Sequence, residues 1–273
     1  MDALETGTLA VPGAMLHYEV RGSGPLLLLM CGGNSDAAVF EPLAEILSGD
    51  YRVVSFDPRG NSRSPLDGPP TDQRIDVHAD DAYRLIERLN PFGGPAAVFG
   101  SCSGGLTALE LALRHPEEVR SLVVHEPPAL GLLPDAADRL AFIDAVYATY
   151  RRDGIPAAMA QLSALFGDRP APVPAEAHDN TEFFLAHVMR PFTRYAPDLA
   201  ALAPLAARIT VAGGCSSRAQ IIHRPALALA GHLGQTVLEF PGGHVGYAEY
   251  PGEFARLLTG ALDAAAREDP VLP

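Results

Sequence analysis

The 273-residue sequence contains no lysine and no tryptophan, so all 20 of its basic residues are arginine. Without a lysine amine, the chain cannot perform Schiff-base chemistry, attach pyridoxal phosphate covalently or form a Walker-type phosphate loop. Basic runs are missing as well. Thirty-three acidic residues stand against the arginines, for a formal net charge of −13. That balance argues against a nucleic-acid partner and against an anionic membrane surface, since both select a basic face. Only three cysteines occur, and an odd number does not make a disulfide framework. The expected compartment is therefore the reducing cytoplasm. The longest apolar run, Leu26 to Cys31, is far shorter than the ~20 residues of a bilayer-spanning helix. The initial MDALETGTLA is acidic and lacks the basic start and apolar stretch of a signal peptide.

What is present suits a packed globular chain. A hydrophobic share of 48% with 19% charged residues excludes a disordered chain and can fill one large core, or a core with an insertion. Short apolar runs alternate with longer amphipathic ones. Met15–Val20, Leu26–Met30, Tyr51–Phe56, Ala96–Phe99, Ser121–Val124, Arg208–Ala212 and Thr236–Phe240 read as strands. Glu41–Leu47, Asp76–Leu89, Gly104–Arg114, Arg224–Leu233 and Glu253–Ala266 read as helices between and after them. From about 130 to 205 the pattern is helical only, over Asp135–Tyr150, Pro156–Leu165 and Thr181–Met189, with a proline-rich patch at Arg169–Pro174. The expected architecture is an α/β core (1–129 and 206–273) whose mostly parallel sheet is flanked by helices, with a helical lid inserted at 130–205.

The most informative stretch is Gly100-Ser101-Cys102-Ser103-Gly104, between the strand AAVF and a helix. A sharp strand-to-helix turn strains its middle residue and admits only small residues two positions to either side. The middle side chain, here Cys102, is held out at the carboxyl edge of the sheet, facing a helix N-terminus. That placement serves a nucleophile.

Four segments in order resemble the α/β-hydrolase superfamily over nearly the whole chain. They are the strand and loop ending Cys31-Gly32-Gly33-Asn34, where the family usually has His-Gly-x; the turn Asp57-Pro58-Arg59-Gly60-Asn61-Ser62-Arg63-Ser64; the elbow, with Cys in place of the usual Ser; and Pro241-Gly242-Gly243-His244, at the place of the catalytic His. The resemblance implies Cys102 as nucleophile, His244 as base and then acid, and an oxyanion hole from the backbone N–H groups of Ser103 and Gly33. It implies no cofactor and no metal.

One element departs from the pattern. The family usually places an Asp in the loop after the strand that follows the insertion, but here that loop, Gly213–Arg218, has no carboxylate. Glu126, directly after the strand SLVV, is the best substitute, as in those members that carry the acid after the earlier strand. Otherwise it serves as a structural group beside Pro127-Pro128. A cysteine depends less on a third group than a serine does, because it can exist as a thiolate–imidazolium pair.

Other residues have structural roles as their simpler reading. Ser103 becomes the nucleophile only if the elbow slips by one. His125 should point to the opposite face from Glu126. Asp36 suits a helix cap, and Asp57 with Arg59 a charge-assisted brace at the sheet edge. Cys31 and Cys215 suit small linings, with a soft metal site or redox pair as the sharper alternative. His223 and His232 read as solvated, and His17 as remote from the pocket. Tyr247 either lines the site or packs. Arg190 or Arg194 could read an anionic substrate group from the lid.

The expected function is acyl transfer on an ester, thioester or lactone of an apolar small molecule. Two alternatives stand beside it: a lyase, isomerase or cyclase using His244 as acid and base without an acyl-enzyme, and a ligand-binding protein that has lost turnover. The only expected partner is the small-molecule substrate. The sequence leaves the oligomeric state open, a homodimer included.

Overall fold

The computed structural model describes residues 4–167 and 180–267. The proline-rich patch Arg169–Pro174 lies outside these described residues. Eight strands form one sheet in the order β1-β2-β4-β3-β5-β6-β7-β8. They are β1 (Glu5–Val11), β2 (Ala14–Arg21), β3 (Leu26–Met30), β4 (Arg52–Phe56), β5 (Ala96–Ser101), β6 (Val119–His125), β7 (Ile209–Gly214) and β8 (Leu238–Phe240). β2 pairs antiparallel with β1 and β4, and every other pairing is parallel.

The sequence explains this order. β3 is a continuous apolar run, LLLLM, buried along its whole length, as a strand covered on both faces must be. It lies between β4 and β5, so the loops carrying Cys31 and Cys102 leave adjacent strands. β1 is an edge strand with alternating exposure, and its sequence, ETGTLAV, is too polar to stand out as a strand.

Helices cover both faces. On one side α2 (Ile75–Leu89), α3 (Ser103–Arg114) and α9 (Arg224–His232) bury Leu85, Leu109 and Leu229 against the sheet. On the other, α1 (Glu41–Leu47) and α11 (Pro251–Arg267) bury Leu43, Phe254 and Leu258. The short α10 (Gly246–Glu249) precedes α11.

Between β6 and β7 the described residues contain helices and no strand. These are α4 (Ala136–Asp153), α5 (Ile155–Leu162), α6 (Thr181–Phe183), α7 (Met189–Arg194) and α8 (Leu199–Leu202). Their apolar residues form a separate cluster that includes Ile143, Val146, Leu162, Leu185 and Met189. The single helix expected over Thr181–Met189 is instead α6, a π turn at Phe184–Val188, and α7. Pro191 accounts for much of this, because it has no N–H to offer the carbonyl four residues back. That carbonyl, of His187, accepts from the Gln73 N–H at 2.8 Å and so ties this segment to the core.

Candidate active site

Cys102 sits between β5 and α3 with φ 56° and ψ −128°. A positive φ is costly for a residue with a side chain and persists only where the surroundings enforce it. Here the enforcement is steric. A Cβ at Gly100 would meet the Gly104 carbonyl oxygen at 2.5 Å, and one at Gly104 would collide with the carbonyls of Met30 and Cys31. The chain can therefore turn only with glycine at both positions. The turn is further fixed by a 3.0 Å hydrogen bond from the Cys102 N–H to the His125 carbonyl. As the residue before α3, Cys102 places its sulfur at the helix N-terminus, which favours a thiolate.

Glu126 also has a positive φ, 44°. It follows β6 and is fully buried, and its N–H donates to the Ala212 carbonyl at 3.0 Å. One carboxylate oxygen, Oε2, accepts from His244 Nδ1 at 2.8 Å. The other, Oε1, accepts from the Gly214 N–H at 3.0 Å, from His223 Nδ1 at 3.0 Å and from the Ser217 hydroxyl. The loop that lacks a carboxylate thus supplies donors to a carboxylate reached from the neighbouring strand.

With Nδ1 committed to Glu126, the nitrogen His244 has left for Cys102 is Nε2. The two side chains are coupled by charge and by a hydrogen bond. Burial alone would keep both neutral, but the partnership outweighs it. Burial lowers the His244 pKa, yet Cys102 and Glu126 together push it up to about 10. Burial raises the Cys102 thiol, yet His244 and the Ser103 N–H hold it below its ordinary value. The Glu126 carboxyl, which burial would raise, is held well below the usual carboxylate range by His223 and His244. The directions of these shifts favour the charged forms of Cys102 and His244 beside the Glu126 carboxylate.

The loop after β3 lies against this group. A Cβ at Gly32 would sit 3.7 Å from Cys102 Sγ, and one at Gly33 would sit 3.0 Å from Ser103 Oγ and 2.8 Å from the Phe184 ring. Asn61, buried, donates its amide to the Gly33 carbonyl at 3.1 Å and to the Ser35 carbonyl at 2.8 Å, fixing the loop from behind. From the helical segment, Phe166 lies 4.9 Å from the His244 ring, centroid to centroid, and Phe184 covers Gly33. A cavity beside Cys102 is lined by Cys31, Gly33, Asn61, Ser103, Val188 and Phe192, among others. Among the described residues no three of His, Cys, Asp and Glu are grouped so as to hold a metal ion.

The remaining candidates divide clearly. His223, read from sequence as solvated, is instead buried against Glu126. The helical pattern of α9 hid this, because His223 precedes the helix on a 3-10 turn, Ile221–His223. His232 is exposed and His17 remains on β2. Asn61 stands inside the Asp57–Ser64 turn, where no local signal marks its two bonds to the loop after β3. His125 is buried on the other face, with Nδ1 3.2 Å from Ser101 Oγ, and burial lowers its pKa to about 4. Tyr247 is buried and packs against Phe40, Phe99 and Phe254. Asp36 caps the turn Ala37–Phe40 by accepting from the Ala38 N–H. Asp57 and Arg59 brace the sheet edge, but not with each other. Asp57 binds Arg63, while Arg59 forms a two-pronged pair with Asp81 at 2.6 and 2.7 Å. The lid arginines are engaged too, Arg194 with Asp144 and Arg190 over the Tyr147 ring at 3.5 Å. Cys31 is buried and burial raises its thiol pKa, whereas Cys215 is exposed.

Comparison with known proteins supplies a frame for these features. Residues 24–166 match the family model described as alpha/beta hydrolase fold. The uncharacterized hydrolase YraK of Bacillus subtilis is 37% identical over 270 residues, covering 95% of this chain and 97% of its own. A 2-(acetamidomethylene)succinate hydrolase of Mesorhizobium japonicum is 37% identical over 108 residues, which is 40% of this chain and 37% of that protein. The solved structure of a thermophilic esterase from Thermogutta terrifontis superposes with a TM-score of 0.75 at 21% identity, over 96% of this chain and 99% of that one. With the elbow, the sheet order and the matched length on one chain, the protein belongs to the α/β-hydrolase fold family.

Proposed function

We propose that the protein is a cysteine-dependent hydrolase that cleaves an ester, thioester or lactone of an apolar small molecule through an acyl-enzyme on Cys102. The observation that carries this reading is the single line of contacts from the strained elbow to a buried carboxylate: Cys102 to His244, and His244 Nδ1 to Glu126 at 2.8 Å. The described helices between β6 and β7 serve as the lid, and Phe166 and Phe184 give the substrate an apolar wall.

In this reading the Cys102 thiolate attacks the carbonyl carbon, and the carbonyl π electrons move to oxygen. The resulting oxyanion is held by the backbone N–H groups of Ser103 and Gly33. When the tetrahedral intermediate collapses, the bond to the leaving group breaks and the His244 imidazolium protonates the departing atom. A thioester remains on Cys102. His244, now neutral, takes a proton from water as the water oxygen attacks the thioester. The second collapse releases the carboxylic acid and returns the thiolate. Glu126 holds the imidazole in one orientation and stabilises its charged form throughout.

The alternative without an acyl-enzyme rests on a missing third group, and the 2.8 Å contact of Glu126 with His244 Nδ1 supports Glu126 in that role. Intact-protein mass spectrometry with a panel of aryl esters and acyl thioesters tests the proposal. Expected is a transient mass gain equal to one acyl group, absent in Cys102→Ala, which should lack turnover. Full activity of Cys102→Ala, with no adduct from any donor that is turned over, ends it.

A further inference from the structure

We infer that His223 is a positioning residue of the catalytic machinery, a second imidazole that holds Glu126 so that only one carboxylate oxygen is presented to His244. The inference rests on the reading of Cys102 as nucleophile.

The two oxygens of Glu126 are used unequally. Among the described residues Oε2 accepts from His244, while Oε1 takes the Gly214 N–H, the Ser217 hydroxyl and His223 Nδ1. An ionised carboxylate only accepts, so Nδ1 of each imidazole carries its proton toward it. Rotating the carboxylate plane moves both oxygens together, so the three bonds to Oε1 resist any turn that would carry Oε2 away from His244. The clamp therefore fixes the angle at which Oε2 meets His244 Nδ1, and through the ring the direction of Nε2.

The backbone makes room for this arrangement. A Cβ at Gly213 would lie 2.5 Å from His223 Cε1 and 2.7 Å from Nδ1, so the ring fits only over glycine. Glu126 itself adopts a left-handed backbone with φ 44°. A side chain launched from such a position has no regular neighbours in the strand to set its direction, so its partners must set it. The same Ser217 hydroxyl, whose one hydrogen faces Glu126, lies 2.9 Å from the Gly214 carbonyl and so stays within its own loop. The loop after β7 has thus become the holder of an acid supplied by β6.

The test compares His223→Leu, which removes the donor, with His223→Asn, whose amide can place a donor near the Nδ1 position. Two readouts are needed: kcat and KM with an aryl ester, and the pH dependence of Cys102 alkylation by iodoacetamide, which needs no substrate. His223→Leu should lose roughly 10- to 100-fold in kcat with KM little changed, the usual range for groups that orient a catalytic ligand. Its alkylation profile should move to higher pH. His223→Asn should recover most of both. Ser217→Ala should move both readouts in the same direction by less, and it serves if His223→Leu does not fold. Wild-type kcat and alkylation in His223→Leu, or equal impairment of the Leu and Asn variants in step with their melting temperatures, overturns the inference. If wild-type Cys102 alkylates like an ordinary thiol, the nucleophile reading itself fails and this inference goes with it. If wild-type Cys102 is activated and Cys102→Ala is inactive while His223→Leu is silent, this inference alone falls.

Discussion

Replacing Glu126 by glutamine isolates the charge of the buried carboxylate. Glutamine keeps the length, tolerates the same backbone and retains one carbonyl oxygen. That oxygen can still serve Gly214, Ser217 and His223, three donors on one side of the group. The amide NH2 must then face His244 Nδ1, at the position where the carboxylate oxygen lies 2.8 Å away. Two donors cannot share that contact. His244 escapes only by giving up the Nδ1 proton, which makes it a neutral imidazole with its hydrogen on Nε2. The charged form loses a buried hydrogen bond to a carboxylate, worth about 1.5–3 kcal/mol. At about 1.4 kcal/mol per factor of ten, kcat should fall about 10- to 150-fold. The thiolate–imidazolium pair should weaken by about one to two pH units. The assay is the pH dependence of iodoacetamide alkylation at Cys102, with ester turnover measured in parallel. If the alkylation midpoint does not move and kcat stays within about twofold, Glu126 has no part in charging His244 and the reasoning is wrong.

Three further outcomes follow from the geometry. His244, pushed up to about 10, gives up its proton as the pH rises through that value, so turnover of substrates with poor leaving groups should fall above about pH 10. The sign for stability is the same, because a raised pKa contributes stability that is complete below the ordinary histidine value and is lost as the pH climbs through about 10; a pH series of turnover and melting temperatures checks both. Gly33→Ala should lower kcat by roughly 100-fold, since its Cβ would press on Ser103 Oγ and on the Phe184 ring and so displace the N–H assigned to the oxyanion; steady-state kinetics at unchanged Cys102 alkylation would show it. Arg59→Met should destabilise the fold by about 3–5 kcal/mol, because it leaves Asp81 buried and unpaired; denaturant titration measures this, and a loss below about 1 kcal/mol refutes it.

How much of this was legible in the sequence depends on whether a signal was local. β3 was read to the residue because five consecutive apolar side chains buried on both faces admit few alternatives. The elbow was legible because its glycines answer a steric demand within five residues. Glu126 is legible because it directly follows the strand SLVV, where some members of the family that the chain resembles carry their acid. Its partners could not. His223 lies 97 residues away, and Ser217 sits in a loop notable only for what it lacked. The pairing of Arg59 with Asp81 rather than Asp57 has the same cause, since Asp81 arrives on α2 by packing that no local pattern encodes. The break in the helix at Phe184–Val188 depends on Pro191 together with a distant N–H at Gln73, and the second half of that cause is again tertiary.

The cysteine and the relocated acid make sense together. A serine nucleophile needs its base to remove a proton during attack, so the base must be neutral at rest and the acid must tune it closely. On the proposed reading, a thiol beside a helix N-terminus and an imidazole can be ionised before substrate arrives, with the proton already on His244. The acid's task narrows to keeping that charge in place and pointed. A carboxylate held from four directions suits that task, and its strand of origin matters less than the angle at which it meets the ring. On that reading the site needs no acidic residue in the loop after β7. It also separates two variants. Cys102→Ser on this framework should be far slower than the parent, because the thiolate that helps keep His244 charged is gone and a hydroxyl, protonated at rest, must lose its proton during the attack itself. If Cys102→Ser worked as fast as the cysteine enzyme, the resting charge on His244 would have no catalytic meaning.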